Sequence, residues 1–267
     1  MTIKPTMIEC KDMYNYAITG NTVSLLQKIS SGLNPDCHNL YSNSDSPLHG
    51  ATMYGKLNSV QTLLQNGANV NYRSGNGETP LIAAAQSGDM TIFNYLMDYN
   101  PNPNIAGNSG LTPLLIASPT NNVEIVTRLI GIGANVMHQM VTGESALHLA
   151  ASGRATDVIR ILITENPDVV NLLATNGKSA LEYHIINGYS YPAQLKVEAM
   201  AAQPNASQNV INTKIHLDNT LATMKLLLEN GTPCSQACYD RLFQNPDLKA
   251  AADLYGVTHD SITVDIN

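Results

Sequence analysis

Two histidines first invite a catalytic reading. His49 and His148 close the runs Ser46-Pro47-Leu48-His49 and Ser145-Ala146-Leu147-His148, and an imidazole titrates near neutral pH, which suits it to general base work. Both histidines, however, occupy the same place in the same short mark, which points to a repeated structural use. Cys234 and Cys238 are four apart and share a helix face if a helix begins early there. No His or Cys pair stands near them in sequence to complete a zinc site, so they read as filler of a C-terminal helix. Glu182-Tyr183-His184 is the one cluster of titratable types near a long interruption of the pattern, and it falls short of a reactive set. Glycines fall at turns and helix ends rather than in a phosphate-binding loop. The expectation is a chain that is not an enzyme, with no catalytic residue, metal ligand or cofactor.

The elements that carry these residues recur. The Ser46 mark returns as Thr79-Pro80-Leu81-Ile82, as Thr112-Pro113-Leu114-Leu115 and as the Ser145 mark, each 33 residues on, and Ser179-Ala180-Leu181 follows after 34. A second mark trails each copy: Gly67-Ala68-Asn69-Val70-Asn71, Asn100-Pro101-Asn102-Pro103-Asn104 and Gly133-Ala134-Asn135-Val136.

Residues 74 to 106 show what one period builds. Thr79 is suited to cap a helix, because its hydroxyl can accept from a first-turn N–H. Pro80 follows at the first helical position, where a missing N–H costs nothing. Leu81, Ala84 and Ala85 give a buried side, and Gly88-Asp89 breaks the helix. Ile92, Phe93, Leu96 and Met97 then make one face of a second helix. Asn100 stands in the slot of Gly67 and Gly133, which calls for a left-handed residue. Asn104 to Gly110 have turn chemistry and predict a projecting hairpin.

The period and wording resemble the ankyrin repeat. The resemblance covers roughly residues 10 to 233, and capping units extend it to about 256. It implies an all-α solenoid of helix-turn-helix units with projecting hairpins, about six repeats plus C-terminal capping helices. On this reading 1–256 is a single domain. An N-terminal cap repeat occupies about 10–40, and repeats run at about 41–73, 74–106, 107–139, 140–173 and 174–233. A C-terminal cap spans 234–256, and 257–267 is a tail. The N-terminal unit carries Val23, Leu25, Leu26 and Ile29 but has Lys28 where a core leucine is expected, as a cap with one wet face should. At the far end Ser235 is suited to cap a helix over 236–244, and Asn245-Pro246 opens a last one with Leu248, Ala251, Ala252 and Leu254. In the family the histidine of the Thr-Pro-Leu-His mark bonds neighbouring backbone, which assigns His49 and His148 a structural role. Pro119 should shorten the first helix of its repeat. Gly153-Arg154 places its glycine one residue early, and His184-Ile185 replaces a pair of small residues, which should push the next layer outward.

The largest departure is an insert at 189–219. The second helix of that unit, with its Gly231 closure, arrives 31 residues late. Helix formers from Pro192 to Ala202, a loop at 204–209 and a 3.6-residue spacing over Ile211, Ile215, Leu221, Met224 and Leu228 predict a helical hairpin standing off the solenoid. Such a segment can be a tolerated loop or a source of private contacts.

A net charge of −7 disfavours nucleic acid and anionic membrane, both of which want clustered Lys and Arg. Nothing behind Met1 resembles a Sec-type signal, and no run reaches the ~18 apolar residues of a membrane span. Cys10, Cys37, Cys234 and Cys238 form no evident framework, so reduced thiols in a cytoplasmic setting are expected. Asparagine is abundant while charged residues make up only 13%, a composition similar to ankyrin proteins that intracellular bacteria deliver into host cytosol.

The resemblance implies a monomer that binds a partner protein through the concave face of hairpins and first helices. Tyr41, Tyr54 and Tyr72 fall on the groove side by repeat phase, with Arg73 beside them, and exposed tyrosines are hot-spot candidates. The residue before each mark, Asp45, Glu78, Leu111, Glu144 and Lys178 in turn, projects at the hairpin base. It makes a negative strip interrupted by Leu111, which suits a partner with a basic surface. The alternative reading is an enzyme or regulatory subunit whose activity is tied to the 189–219 insert.

Overall fold

The computed structural model describes residues 7–37, 45–186, 222–235 and 238. Among them the secondary structure is helical, and Gln139 and Ser145 form an isolated antiparallel bridge. The residues group into two compact units, one of Met1–Ala117 with Glu124–Asn135 and one of Ser118–Val123 with Val136–Asn267. The insert at 189–219, Tyr41, the exit helices beyond Ser235 and the tail lie outside the described residues, apart from Cys238.

In the first unit α1 (Met7–Thr19) and α2 (Thr22–Ser30) precede α3 (Pro47–Met53) with α4 (Leu57–Gln65) and α5 (Pro80–Ser87) with α6 (Met90–Met97). Then come α7 (Pro113–Ala117) and α8 (Val123–Gly131), whose first residue belongs to the other unit. First helices pack on first helices, α1 on α3, α3 on α5 and α5 on α7, and second helices follow suit, α2 on α4 and α4 on α6. Side-chain oxygens cap the first helices: Ser46 accepts from His49 N–H, Thr79 from Ile82 N–H and Thr112 from Leu115 N–H. Asp89 caps α6 by accepting from Thr91 and Ile92, and Ile92, Phe93 and Leu96 of that helix are fully buried. Each such side chain contributes roughly 1.5–3 kcal/mol on burial. Asn100 takes the left-handed slot at φ 51°, beside Gly67 at 85° and Gly133 at 88°.

The α1–α2 pair leaves apolar side chains in water. Of its second-helix apolar residues only Leu25 is fully buried, while Val23 is 77% exposed and Leu26 also faces water. Gly50 lets α1 come close, since a Cβ there would lie 2.6 Å from Tyr14 Cε2 and 2.7 Å from Ile18 Cγ2.

The second unit holds α9 (Ala146–Gly153), α10 (Thr156–Glu165) and α11 (Ala180–Ile186), with 3-10 turns at Ser118–Thr120 and Pro167–Asn171. A further helix, α12, covers 222–229. It resumes the interrupted repeat. Thr223 Oγ1 lies 2.8 Å from Thr156 Oγ1 of α10, Gly231 has φ 72°, and Thr232 N–H donates to Leu227 O as Ala68 does to Leu63 and Ala134 to Leu129. Pro119 does cut its helix short, and Arg154 rather than Gly153 adopts the left-handed conformation, at φ 58°. His184 is buried, with Nδ1 2.8 Å from the Ala151 carbonyl.

The cysteines depart from expectation. Cys10 is bonded to Cys37 and Cys234 to Cys238, so none of the four is a free thiol. Spacing could not show this, because Cys10 and Cys37 are brought together only when α1 lies against the loop that follows α2.

Candidate partner-binding face

The hairpins are tight turns, each closed by the residue that precedes the capping mark. Ser74 N–H donates to Glu78 O and Gly107 N–H to Leu111 O in the first unit. In the second, Met140 N–H donates to Glu144 O and Ala174 N–H to Lys178 O. Each turn has a glycine at positive φ before its closing residue, among them Gly77 at 76° and Gly143 at 83°, a conformation that side chains resist.

Neighbouring turns within a unit are tied in register. Asn108 N–H donates to Asn76 O at 2.8 Å, and Thr175 N–H to Thr142 O at 3.1 Å. Arg73 supports the first pair: its Nε donates to Gly77 O at 3.2 Å and its Nη2 to Ala106 O at 3.0 Å. Gln139 does the same work in the second unit, donating from Nε2 to Gly143 O at 2.6 Å and to Leu173 O at 2.8 Å. The guanidinium expected on the binding face is therefore engaged with backbone carbonyls. A second ladder runs through the loops after the second helices. Asp36 Oδ1 accepts from Asn69 N–H, Asn71 Oδ1 from Asn102 N–H and Asn104 Oδ1 from Asn135 N–H, each at 2.8 Å. Much of the asparagine in this unit thus has a structural use.

The expected site residues separate by environment. In the first unit Tyr54, at the C-terminal end of α3, is 55% exposed beside exposed Met53. Tyr72 is half-buried, and burial and the nearby Asp36 charge push its phenol pKa up. Burial likewise raises the Asp36 carboxyl, against a hydrogen bond from Asn69 that lowers it. Glu78 and Leu111 are half-buried at the bases of their turns. Asp45 is only 7% exposed and turns inward, with Oδ1 3.2 Å from His49 Nδ1. That approach is an ion-pair distance without hydrogen-bond alignment, and both His49 nitrogens lack a hydrogen-bond partner among the described residues. His49 therefore does not make the backbone bond that the mark implies.

His148 does. Its Nε2 lies 3.1 Å from Lys178 O and its Nδ1 2.8 Å from Ser145 Oγ. Burial holds its pKa below the ordinary histidine value, outweighing the Lys178 carbonyl and the Glu144 charge, which favour the cation. Ser145 and His148 are completely buried, so this hydroxyl–imidazole pair has no room for a substrate.

The Glu182-Tyr183-His184 cluster comes apart in space. Glu182 is buried and accepts from Ser179 N–H at 2.9 Å and from the Ser235 hydroxyl at 2.5 Å. Ser235 Oγ in turn accepts from Cys238 N–H, as a helix cap would. Tyr183 reaches the other way. Its hydroxyl donates to Glu144 Oε1 at 2.8 Å, and its ring meets His148 edge-on at 5.1 Å. Burial and the Glu144 hydrogen bond raise the Tyr183 phenol. Burial would raise the Glu144 carboxyl as well, but hydrogen bonds from Thr142, Tyr183 and its own backbone, with His148 nearby, hold it below the ordinary range. The contact of Tyr183 with Glu144 and His148 is one that the sequence reading missed. The available signal was the tyrosine's slot, just past the mark, which earlier repeats fill with Gly50, Ala83, Ile116 and Leu149.

Among the described residues no group of three or more His, Cys, Asp or Glu could hold a metal ion, and no helix is long and apolar enough to cross a membrane. A family model of ankyrin repeats in three copies matches residues 14–107, 48–140 and 114–199, which together run from 14 to 199 of the 267 residues. No curated protein matches the chain. Capped first helices, left-handed closures of the second helices and turns in register are what those matches describe in physical terms, and the chain belongs to the ankyrin-repeat family, whose members are generally protein–protein interaction modules.

Proposed function

We propose that this chain binds a partner protein through its turns and first helices, without catalysing a reaction. The observation that carries the reading is the turn register of each unit: backbone groups are spent on neighbouring turns, while the side chains they carry differ from turn to turn. A rigid backbone with variable side chains loses little entropy on binding. In the first unit the contact residues are Tyr54, Tyr72, Glu78 and Leu111, with Tyr41 added by repeat phase. In the second, Tyr183 stands beside Glu144, whose carboxylate has one oxygen held by the phenol and the other buried. Arg73 is exposed but spends its guanidinium on the turn carbonyls, and Asp45 is buried beside His49. Glu78 favours a partner with a basic segment, and association steered by such charge slows as salt rises. The asparagine ladder supplies a structural reason for the composition, so composition lends little to a host-directed effector role.

Affinity capture from lysate with wild-type protein and with Tyr54→Ala/Glu78→Lys tests the reading. Partners should be lost from the double variant and kept by Arg160→Ala, a change at an exposed residue of second helix α10. Equal recovery of the same proteins by all three would remove the turn and first-helix surface from consideration.

A further inference from the structure

The two disulfides sit towards the two ends of the described chain, and the interior repeats have none. The ends are where a repeat array is weakest, because a terminal unit has a neighbour on one side only. Cys10 lies in the first turns of α1 and Cys37 follows the loop after α2, with a sequence separation of 27 and Cα atoms 5.3 Å apart. Both are buried, at 8% and 5% exposure, between exposed neighbours such as Ile8 and Lys11.

Among the described residues α1 packs mainly on α3 and α2. Met13, Tyr14 and Ala17 are its other buried apolar residues. Tyr14 and Ile18 reach α3 at Gly50, where the absence of a Cβ permits the approach. Its companion α2 buries only Leu25 completely and leaves Val23 and Leu26 in water. The pair buries fewer apolar side chains than α5 and α6 do.

We infer that Cys10 and Cys37 form a redox latch on the N-terminal unit, closed as the disulfide and open as the dithiol. Closing removes two electrons and two protons from the thiols as the sulfur–sulfur bond forms. Glutathione disulfide accepts them and leaves as two glutathione thiols, and a dithiol reductant reverses the exchange. The latch closes a loop of 27 residues, and loop-closure entropy of that size changes the population of undocked α1 on the order of a hundredfold. Opening bares the α3 surface at Gly50 and Leu48. The Cys234–Cys238 pair spans only 4 residues and restrains far less chain, so the response belongs to the N-terminal end. The inference does not depend on the partner-binding reading above.

Hydrogen exchange of the full chain, equilibrated with glutathione disulfide or with dithiothreitol, tests it. Reduction should speed exchange in α1 tenfold or more and leave α5 and α6 unchanged. Cys10→Ser/Cys37→Ser should exchange fast in both buffers, and Cys234→Ser/Cys238→Ser should keep the redox response. Should the first double variant not fold, the two buffers with wild-type protein decide alone. Equal α1 protection in both buffers, four alkylatable thiols after oxidation, or uniform acceleration over all helices would each overturn the latch.

Discussion

Gly153 lies directly beneath Pro119: a Cβ on the glycine would come within 2.7 Å of Pro119 Cα and closer still to its carbonyl oxygen. The two irregularities of the repeat pattern are thus one feature. Pro119 ends α7 early and turns the chain into a 3-10 segment, and that segment rests on α9 at the only kind of residue able to receive it. The left-handed position then falls to Arg154. Gly153→Ala should destabilise the protein by roughly 1–3 kcal/mol through overpacking. Gly131 is the control, a helical glycine with nothing within 4 Å of its missing Cβ, where alanine should be neutral or stabilising by roughly 0.5–1 kcal/mol. Urea unfolding of the two variants checks both signs, and similar midpoints would show that the 3-10 segment can move aside.

Arg73 and Gln139 occupy equivalent positions two repeats apart and donate to equivalent carbonyls. Arg73→Gln should therefore leave the melting temperature nearly unchanged, whereas Arg73→Ala should cost roughly 1–2 kcal/mol for the lost bonds. If glutamine is as harmful as alanine, the charge rather than the turn register is what the position supplies.

Tyr54 is the cleanest test of the surface, since more than half of its area faces water. Tyr54→Ala should weaken partner binding by more than ~1 kcal/mol with little change in melting temperature. A loss of stability at unchanged affinity would make it a packing residue.

The Glu144–Tyr183 pair sets an acid limb. The Glu144 pKa is lowered in the folded state, so its contribution is present above the value of a free glutamate, roughly 4.3, and is lost as pH falls through the folded value. His148 acts earlier. Its folded pKa is also lowered, so the unfolded chain takes up its proton first, and stability declines as pH drops below roughly 6.5. Tyr183→Phe removes one hydrogen bond to Glu144 and should flatten the lower limb while leaving the decline near 6.5. Stability measured from pH 7 to 3 on both proteins separates the limbs, and superimposable curves would mean the phenol does not hold the carboxylate.

Replacing 189–219 by a short Gly-Ser turn should leave a cooperatively folded protein, because α12 already meets α10 at Thr156 and Thr223 and damage in repeat arrays stays local. Helical circular dichroism should fall only by the deleted share. Aggregation or a broad melt would show that the insert covers core.

What the amino-acid sequence determined by itself is whatever acts within a few residues. The caps at Ser46 and Thr79, the left-handed slots at Gly67, Asn100 and Gly133, and the early stop at Pro119 follow from local hydrogen bonds and backbone sterics, which any reader of the chain can apply. Their agreement at a period of 33 carried the fold. Tertiary structure decided the rest through contacts about one repeat long. His49 and His148 share one mark, yet only His148 finds a carbonyl, because Lys178 of the next turn is brought to it. Asp45 was read as exposed by its phase and is buried, exposed Arg73 finds the Ala106 carbonyl, Tyr183 finds Glu144, and Cys10 finds Cys37. Each of these outcomes depends on what the neighbouring repeat places opposite a side chain, a quantity that spacing along the chain does not contain.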